Sequence, residues 1–436
     1  MFRKILQLSI PLLCLSSPAF AEDAVINTGN TAWLLLSAAL VMLMTPGLAF
    51  FYGGMVSHKN VVSTLLQNYV ALAVIGVAWV VAGYSLAFTE GSPWIGGFSN
   101  VMFDGLINTT YGDTGIPMIA FAVFQMMFAI ITPALITGAF AERVSFKAWL
   151  LIMLLWSFLV YVPIAHWVWG AGGWIAAKGG LDFAGGLVVH ISAGFSGLVA
   201  ALVWGKRTNS SEEHPYDVPM VMLGAALLWF GWFGFNAGSA LTSGALATYA
   251  FLNTFIAAAV AFIVWMLVDW IRAGKPSAIG GSVGIVVGLV AITPAAGYVT
   301  VSSAMIIGAV AAVVCNYLAF FIKKITHLDD ALDVFACHGI GGVVGAILTG
   351  VYATKAVNPA IAVEGIAVSG ETSLFYANLM GVAAVAGFSI VATYIIIKLV
   401  NVITPIRVSG DVEHAGLDHA THGEHARYSL AKPKRA

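Results

Sequence analysis

The spacing of its apolar runs constrains this chain more than any other feature. About eleven nearly uncharged stretches follow one another, centred near Met42, Val74, Met127, Leu155, Phe195, Leu228, Val260, Val287, Val310, Gly345 and Gly387. Each is roughly 20 residues long, the length an α-helix needs to cross the hydrocarbon of a bilayer. Lipid offers no partner to a backbone N–H or C=O, so each stretch must satisfy its own backbone as a helix. The expected fold is therefore an all-α polytopic membrane protein with eleven transmembrane helices. Composition agrees: of 436 residues 60% are hydrophobic and 9% charged, with mean hydropathy +0.93. A soluble domain of this length carries far more charge.

The basic residues set the direction. With the mature N-terminus outside, fifteen of the 19 Lys and Arg fall in inside loops and the tail, and only Lys178 and Lys355 fall outside. The other two, Arg3 and Lys4, open a leader with an apolar core from Ile5 to Leu15 and an Ala19-Phe20-Ala21 cleavage site. Residues 1–21 read as a cleaved signal peptide, with the mature chain starting near Glu22; an uncleaved first helix is the alternative. The domain plan is then 1–21 signal peptide, 22–403 transmembrane domain and 404–436 cytoplasmic tail. Cys14 leaves with the leader. Cys315 and Cys337 lie in apolar runs and read as reduced core residues, with no CxxC and no disulfide framework. The 47 glycines suit close helix packing in lipid.

Two strings recur in order. AIITPAL at 129–135 lies in the third stretch and VAITPAA at 290–296 in the eighth; LDFAGGLVVHISAGFSG leads into the fifth and LDVFACHGIGGVVG into the tenth. The latter pair share His-x-x-x-Gly-x-x-Gly: His190, Gly194, Gly197 and His338, Gly342, Gly345. Units of five helices must run in opposite directions, so the pattern implies two inverted five-helix repeats plus a final helix, with a pathway between the halves. The two histidines become pseudo-equivalent. Imidazole rings in contact satisfy each other, one nitrogen donating and one accepting, and titrate as a pair. The plainer alternative is two packing histidines, each bonded to a backbone carbonyl.

Aromatic residues gather at the outer ends. Phe124 and Phe128 sit four apart in the third stretch; Trp167, Trp169 and Trp174 end the fourth; Trp232, Phe233 and Phe235 precede Asn236 and Ser239. They suit either an interfacial belt or a vestibule for a small cation. A desolvated ring contributes about 1–2 kcal/mol to a cation. Stripping an ion of water costs several kcal/mol, so rings and a hydroxyl cannot carry potassium through an apolar path. Burial disfavours a charged amine, so ammonium can shed its proton and cross as ammonia. Asp182 and Asp333 stand before glycine-rich helices and read as N-caps, Asp182 with a cation-attracting role as the alternative. No HExxH appears, and His190, His338 and Cys337 do not make a closed tetrahedral set, so neither a metal site nor an organic cofactor is expected.

FYGGMVSHKN at 51–60, DFAGGLVVHISAG at 182–194, WFGFNAGSA at 232–240 and DVFACHGIGG at 333–342 resemble signatures of bacterial ammonium transporters. The similarity runs from about Thr31 to Tyr428, on the Amt/MEP rather than the Rhesus-type branch, because Trp169 sits where the former has its outer tryptophan. The resemblance implies a homotrimer in the bacterial cytoplasmic (inner) membrane with a pore in each subunit. It implies an external ammonium site of Phe128, Trp169 and Ser239, a gate of Phe128 and Phe235, and twin histidines His190 and His338. Asp182 and, more weakly, Thr293 take supporting roles. The tail VSGDVEHAGLDHATHGEHARYSL resembles the family's cytoplasmic segment, which implies subunit coupling and docking of a PII-type regulator; no nucleic-acid partner is implied. Its extra histidines, His414, His419, His422 and His425, fit a solvated polar tail or a metal- or pH-sensitive element. An electroneutral ammonia channel and an ammonium sensor are the alternative functions; an enzyme is not expected.

Overall fold

The computed structural model describes residues 25–208, 215–322 and 328–427. The leader with its cleavage site, Lys323 and Lys324, and the last nine residues of the tail lie outside the described residues.

Apolar helices account for most of the chain. Among the described residues ten are long and apolar enough to cross a membrane: α1 Thr28–Met55, α2 Val61–Phe88, α3 Met118–Ala139, α4 Phe146–Ala177, α5 Gly186–Trp204, α6 Val218–Gly238, α7 Ala245–Ala273, α9 Val301–Phe321, α10 Phe335–Tyr352 and α11 Ser373–Ile403. Between α7 and α9 lies α8, Ala278–Ile292, apolar but only 15 residues long. The helix starts carry the expected caps: Asn27, Asp217, Ser277 and Thr300 each accept from the N–H three residues on. Single π-turns interrupt α2 and α4 and open α5 and α10, a feature frequent at functional sites.

Small residues let the helices meet closely. A Cβ on Gly224 of α6 would stand 2.3 Å from the Phe51 nitrogen of α1. Where α5 crosses the start of α10, a Cβ on Gly194 would stand 2.0 Å from the Gly339 nitrogen. Large apolar side chains point outward along α7, where Phe251, Leu252, Phe255, Ile263, Leu267 and Trp270 are all exposed. Such a surface suits lipid or another protein, not water.

The face from which α1 starts, here the first face, carries two small hairpins between α2 and α3: β1 Gly91–Ser92 with β2 Ile95–Gly96, and β3 Thr110–Tyr111 with β4 Ile116–Pro117. The opposite, second face is ionic. Arg207 grips Asp329 with Nε and Nη2, both at 2.9 Å, and reaches Glu142 with Nη1. Glu142 also accepts from the Ser57 N–H at 2.7 Å. Burial opposes the charge on Arg207, but Asp329 and Glu142 overcome it and raise its pKa. Burial likewise pushes Asp329 up, and Arg207 more than reverses this, holding the carboxyl below its usual range.

The tail folds back onto this face. Arg407 pairs with Glu413 at 2.8 Å, and the Asp418 carboxylate accepts from the Val62 and Ser63 N–H groups that open α2.

Candidate functional site

His190 sits in the π-turn that opens α5, and Asp182 builds that turn. Its Oδ1 accepts from Gly185 (2.8 Å) and Gly186 (2.7 Å), its Oδ2 from Leu187 (2.7 Å) and Val188 (3.1 Å). These are the donors that a helix start leaves unpaired. With φ +120°, Gly185 makes the bend before them. The side chain is 5% exposed, and its oxygens are taken by the backbone, as the N-cap reading expects.

His338 sits in the matching π-turn of α10. The carboxylate seen capping this turn is Asp330, accepting from Phe335 N–H at 2.8 Å, rather than Asp333. Asp333 has φ +58° and gives its carbonyl to Cys337 N–H. Asp330 stands eight residues before His338, as Asp182 stands eight before His190. The Leu-Asp string at 332–333 is thus out of register; the one at 328–330 carries the cap.

The Gly194–Gly339 crossing brings the two histidines together. Their Nδ1 atoms are 3.3 Å apart, their ring planes 23° apart, and both residues are almost fully buried. One Nδ1 must donate and the other accept. Among the described residues none is a hydrogen-bond partner of His190 Nε2. Met44, Leu48, Ile131, Leu135, Leu228 and Val286 line a small cavity around the pair. It leaves ≈ 10 Å³ for the centre of a water-sized guest, room for about one such molecule.

Toward the first face lie stacked aromatics. Trp232 lies 5.4 Å from the His190 ring, its Nε1–H donating to Thr293 Oγ1 at 2.9 Å. Phe128 and Phe235 stack at 4.2 Å and 28°, each 1% exposed. Above them Trp169 meets Phe128 edge-on at 6.0 Å, its Nε1–H held by the Asp182 carbonyl at 2.9 Å. Ser239 donates to the Phe235 carbonyl at 2.9 Å. Trp169 and Ser239 share an open pocket of ≈ 120 Å³ with Phe88, Tyr111, Phe121, Gln125, Phe183 and Leu241.

Phe128, Trp169, Ser239, Phe235, His190 and His338 therefore form one column, with Asp182 and Thr293 behind it. Trp232 stacks on His190 and Phe124 packs edge-on against Phe128 at 4.9 Å, but the remaining aromatics of the sequence clusters turn away. Phe233 stacks outward on Phe251 at 3.9 Å, while Trp167 and Trp174 pack with Trp94. Sequence reasoning missed Phe88, Tyr111, Phe121, Gln125 and Phe183. Four of these lie outside the motifs and Phe183 lies within one; Gln125, three residues before Phe128, is the one whose polarity within an apolar run was a readable signal.

The model of the Ammonium Transporter Family matches residues 32–427. An ammonium transporter of Bacillus subtilis is 49% identical over 400 residues, covering 91% of this chain and 98% of its own. Candida albicans Mep2 superposes with a TM-score of 0.84 at 36% identity, covering 89% of this chain and 88% of its own. A structure named Sensor Amt Protein superposes with a TM-score of 0.83 at 28% identity, covering 90% and 98%.

Proposed function

The chain belongs to the ammonium transporter family, and from that premise we propose that it takes up ammonium through the column described above. It is a multi-pass membrane protein and a transporter rather than an enzyme. The proposed route starts on the first face, read as the outside. Ammonium rests against Trp169, Phe128 and Ser239, where each partly desolvated ring contributes about 1–2 kcal/mol. That cannot offset full dehydration of an ion, which costs several kcal/mol. The cation therefore gives up a proton, and neutral ammonia passes the Phe128–Phe235 gate. The proton travels separately along the Nδ1–H···Nδ1 contact of His190 and His338. Asp182 and Thr293 hold the walls. The observation that carries this reading is the buried histidine contact of 3.3 Å directly beneath stacked phenylalanines.

The wider arrangement proposed with it has eleven crossings, with α8 as the short one. The first ten form two inverted repeats, supported by the Asp-to-His spacing of eight residues in both α5 and α10. The membrane is the bacterial cytoplasmic membrane, the tail is cytoplasmic from residue 404, and the subunit assembles as a homotrimer. A PII-type regulator would act at the second face, where the tail lies. A sensing role is the second reading, favoured by the likeness to the structure named Sensor Amt Protein.

Ammonium-evoked current in proteoliposomes, against potassium, tests the proposal. The expected result is a saturable ammonium current, absent with potassium and lost or made unselective in His190→Ala and His338→Ala. Internal alkalinisation without current would replace it with an electroneutral ammonia channel. Wild-type behaviour in both variants would remove the histidines from the mechanism.

A further inference from the structure

A third histidine stands apart from the column. His166 lies in the last full turn of α4 before the break at residues 170–173 and is completely buried. Its Nδ1 is 2.9 Å from the Ala87 carbonyl oxygen, and its Nε2 is 2.8 Å from the Ser92 carbonyl oxygen. A carbonyl oxygen only accepts. A neutral imidazole has one N–H and one lone pair, so either tautomer would set a lone pair against an oxygen. Only the imidazolium donates at both ends.

The surroundings suit that charge. A cation in the last turn of a helix faces the negative end of its dipole, and both contacts are charge-assisted. Gly170 permits the approach: a Cβ there would lie 2.4 Å from both the Ala87 oxygen and His166 Nδ1. Ionisable groups on the packed elements are few. Tyr84 comes from α2, the exposed Glu90 from the segment before β1, His190 from the start of α5, and the exposed Lys178 follows the short helix Trp174–Ala177; α4 itself brings Tyr161. Residues 170–173 bring none.

We infer that His166 is held as a doubly donating imidazolium, a positioning residue that clamps the end of α2 and the β1–β2 hairpin onto the end of α4. Ala87 immediately precedes Phe88, and His166 lies one turn before Trp169; Phe88 and Trp169 are two walls of the outer pocket. One side chain thereby sets the distance between them. The hairpin is held a second time, by Trp167 Nε1–H on the Trp94 carbonyl at 2.9 Å. The link to ammonium rests on the functional reading above; the charge state does not.

Solid-state nitrogen NMR of the [15N]histidine-labelled protein in proteoliposomes tests the charge. One histidine should show two protonated ring nitrogens, and its signal should vanish in His166→Gln. A bare nitrogen on His166 would overturn the inference. Gln offers a donor on the Ser92 side but an acceptor toward Ala87. We expect the half-saturating ammonium concentration to rise about tenfold, with maximal current within about twofold of wild type, as for loss of one charge-assisted bond. An unchanged half-saturation would refute the positioning role. His166→Asn, which keeps the donor on the Ala87 side, serves if the Gln variant does not accumulate. If the wild type carries no ammonium current the transport reading fails, and the nitrogen spectrum still decides the clamp.

Discussion

Asp182→Ala is the substitution whose cost follows most directly from the geometry. The carboxylate accepts four backbone N–H bonds between 2.7 and 3.1 Å, all from the turn that carries His190. Alanine leaves four buried donors with no acceptor. Each such donor costs about 1–3 kcal/mol. The four share one acceptor group and are not additive, so a total of roughly 4–8 kcal/mol is expected, against a net folding stability of about 5–15 kcal/mol. The variant should accumulate poorly and unfold well below the wild type. Asp182→Asn keeps an oxygen for Gly185 and Gly186 but turns an NH2 toward the Leu187 and Val188 donors, so it should fall between the two. Thermal unfolding of the purified proteins in detergent gives the order, and ammonium current in proteoliposomes shows whether the His190 turn survives. An Asp182→Ala protein within about 1 kcal/mol of wild type would refute this account. A weaker ammonium response with unchanged stability in Asp182→Asn would instead point to attraction of the cation at a distance.

Three further outcomes follow from other contacts. Gly194→Ala should drive α5 and the start of α10 apart, because its Cβ would fall 2.0 Å from the Gly339 nitrogen; overpacking of this kind costs about 1–3 kcal/mol or more, and loss of ammonium current with the protein still trimmed to the membrane fraction would show the histidine contact broken. Thr293→Val removes the acceptor of Trp232 Nε1–H; the stranded donor should lower stability by about 1–3 kcal/mol, measured by the same unfolding assay, and Thr293→Ser should restore it. Asp329 has its carboxyl held below the usual range chiefly by Arg207 against the effect of burial. Its contribution is therefore present above the unfolded value, about 3.9, and is lost as pH falls through the lower folded value. Asp329→Asn should be less stable than wild type at neutral pH, and the gap should close in acid; a gap that widens in acid would contradict the sign.

Parts of the site were legible because they are local or repeated. The His-x-x-x-Gly-x-x-Gly string marked both histidines and the glycine Gly194 that lets their helices cross. The cap by Asp182 was legible because capping acts within one turn. Its partner was not: two Leu-Asp strings precede α10, and only the folded turn shows that Asp330 accepts from Phe335. Trp232, Phe233 and Phe235 are consecutive or nearly so, but successive helical positions differ by about 100°. One faces His190, one faces Phe128 and one faces Phe251, and no count of aromatics tells them apart.

For His166 the polarity was readable but its partners were not. It is one polar residue in an apolar run, and its two acceptors lie more than 70 residues away on α2 and β1. The sequence by itself determined the helices and their number to within the short α8, because transfer of each segment into lipid is settled by that segment's own side chains and backbone. The tertiary structure decided which side chains meet. A contact such as His190 with His338 spans 148 positions, and its geometry depends on where small residues let whole helices approach, a property of the packed bundle rather than of any one stretch.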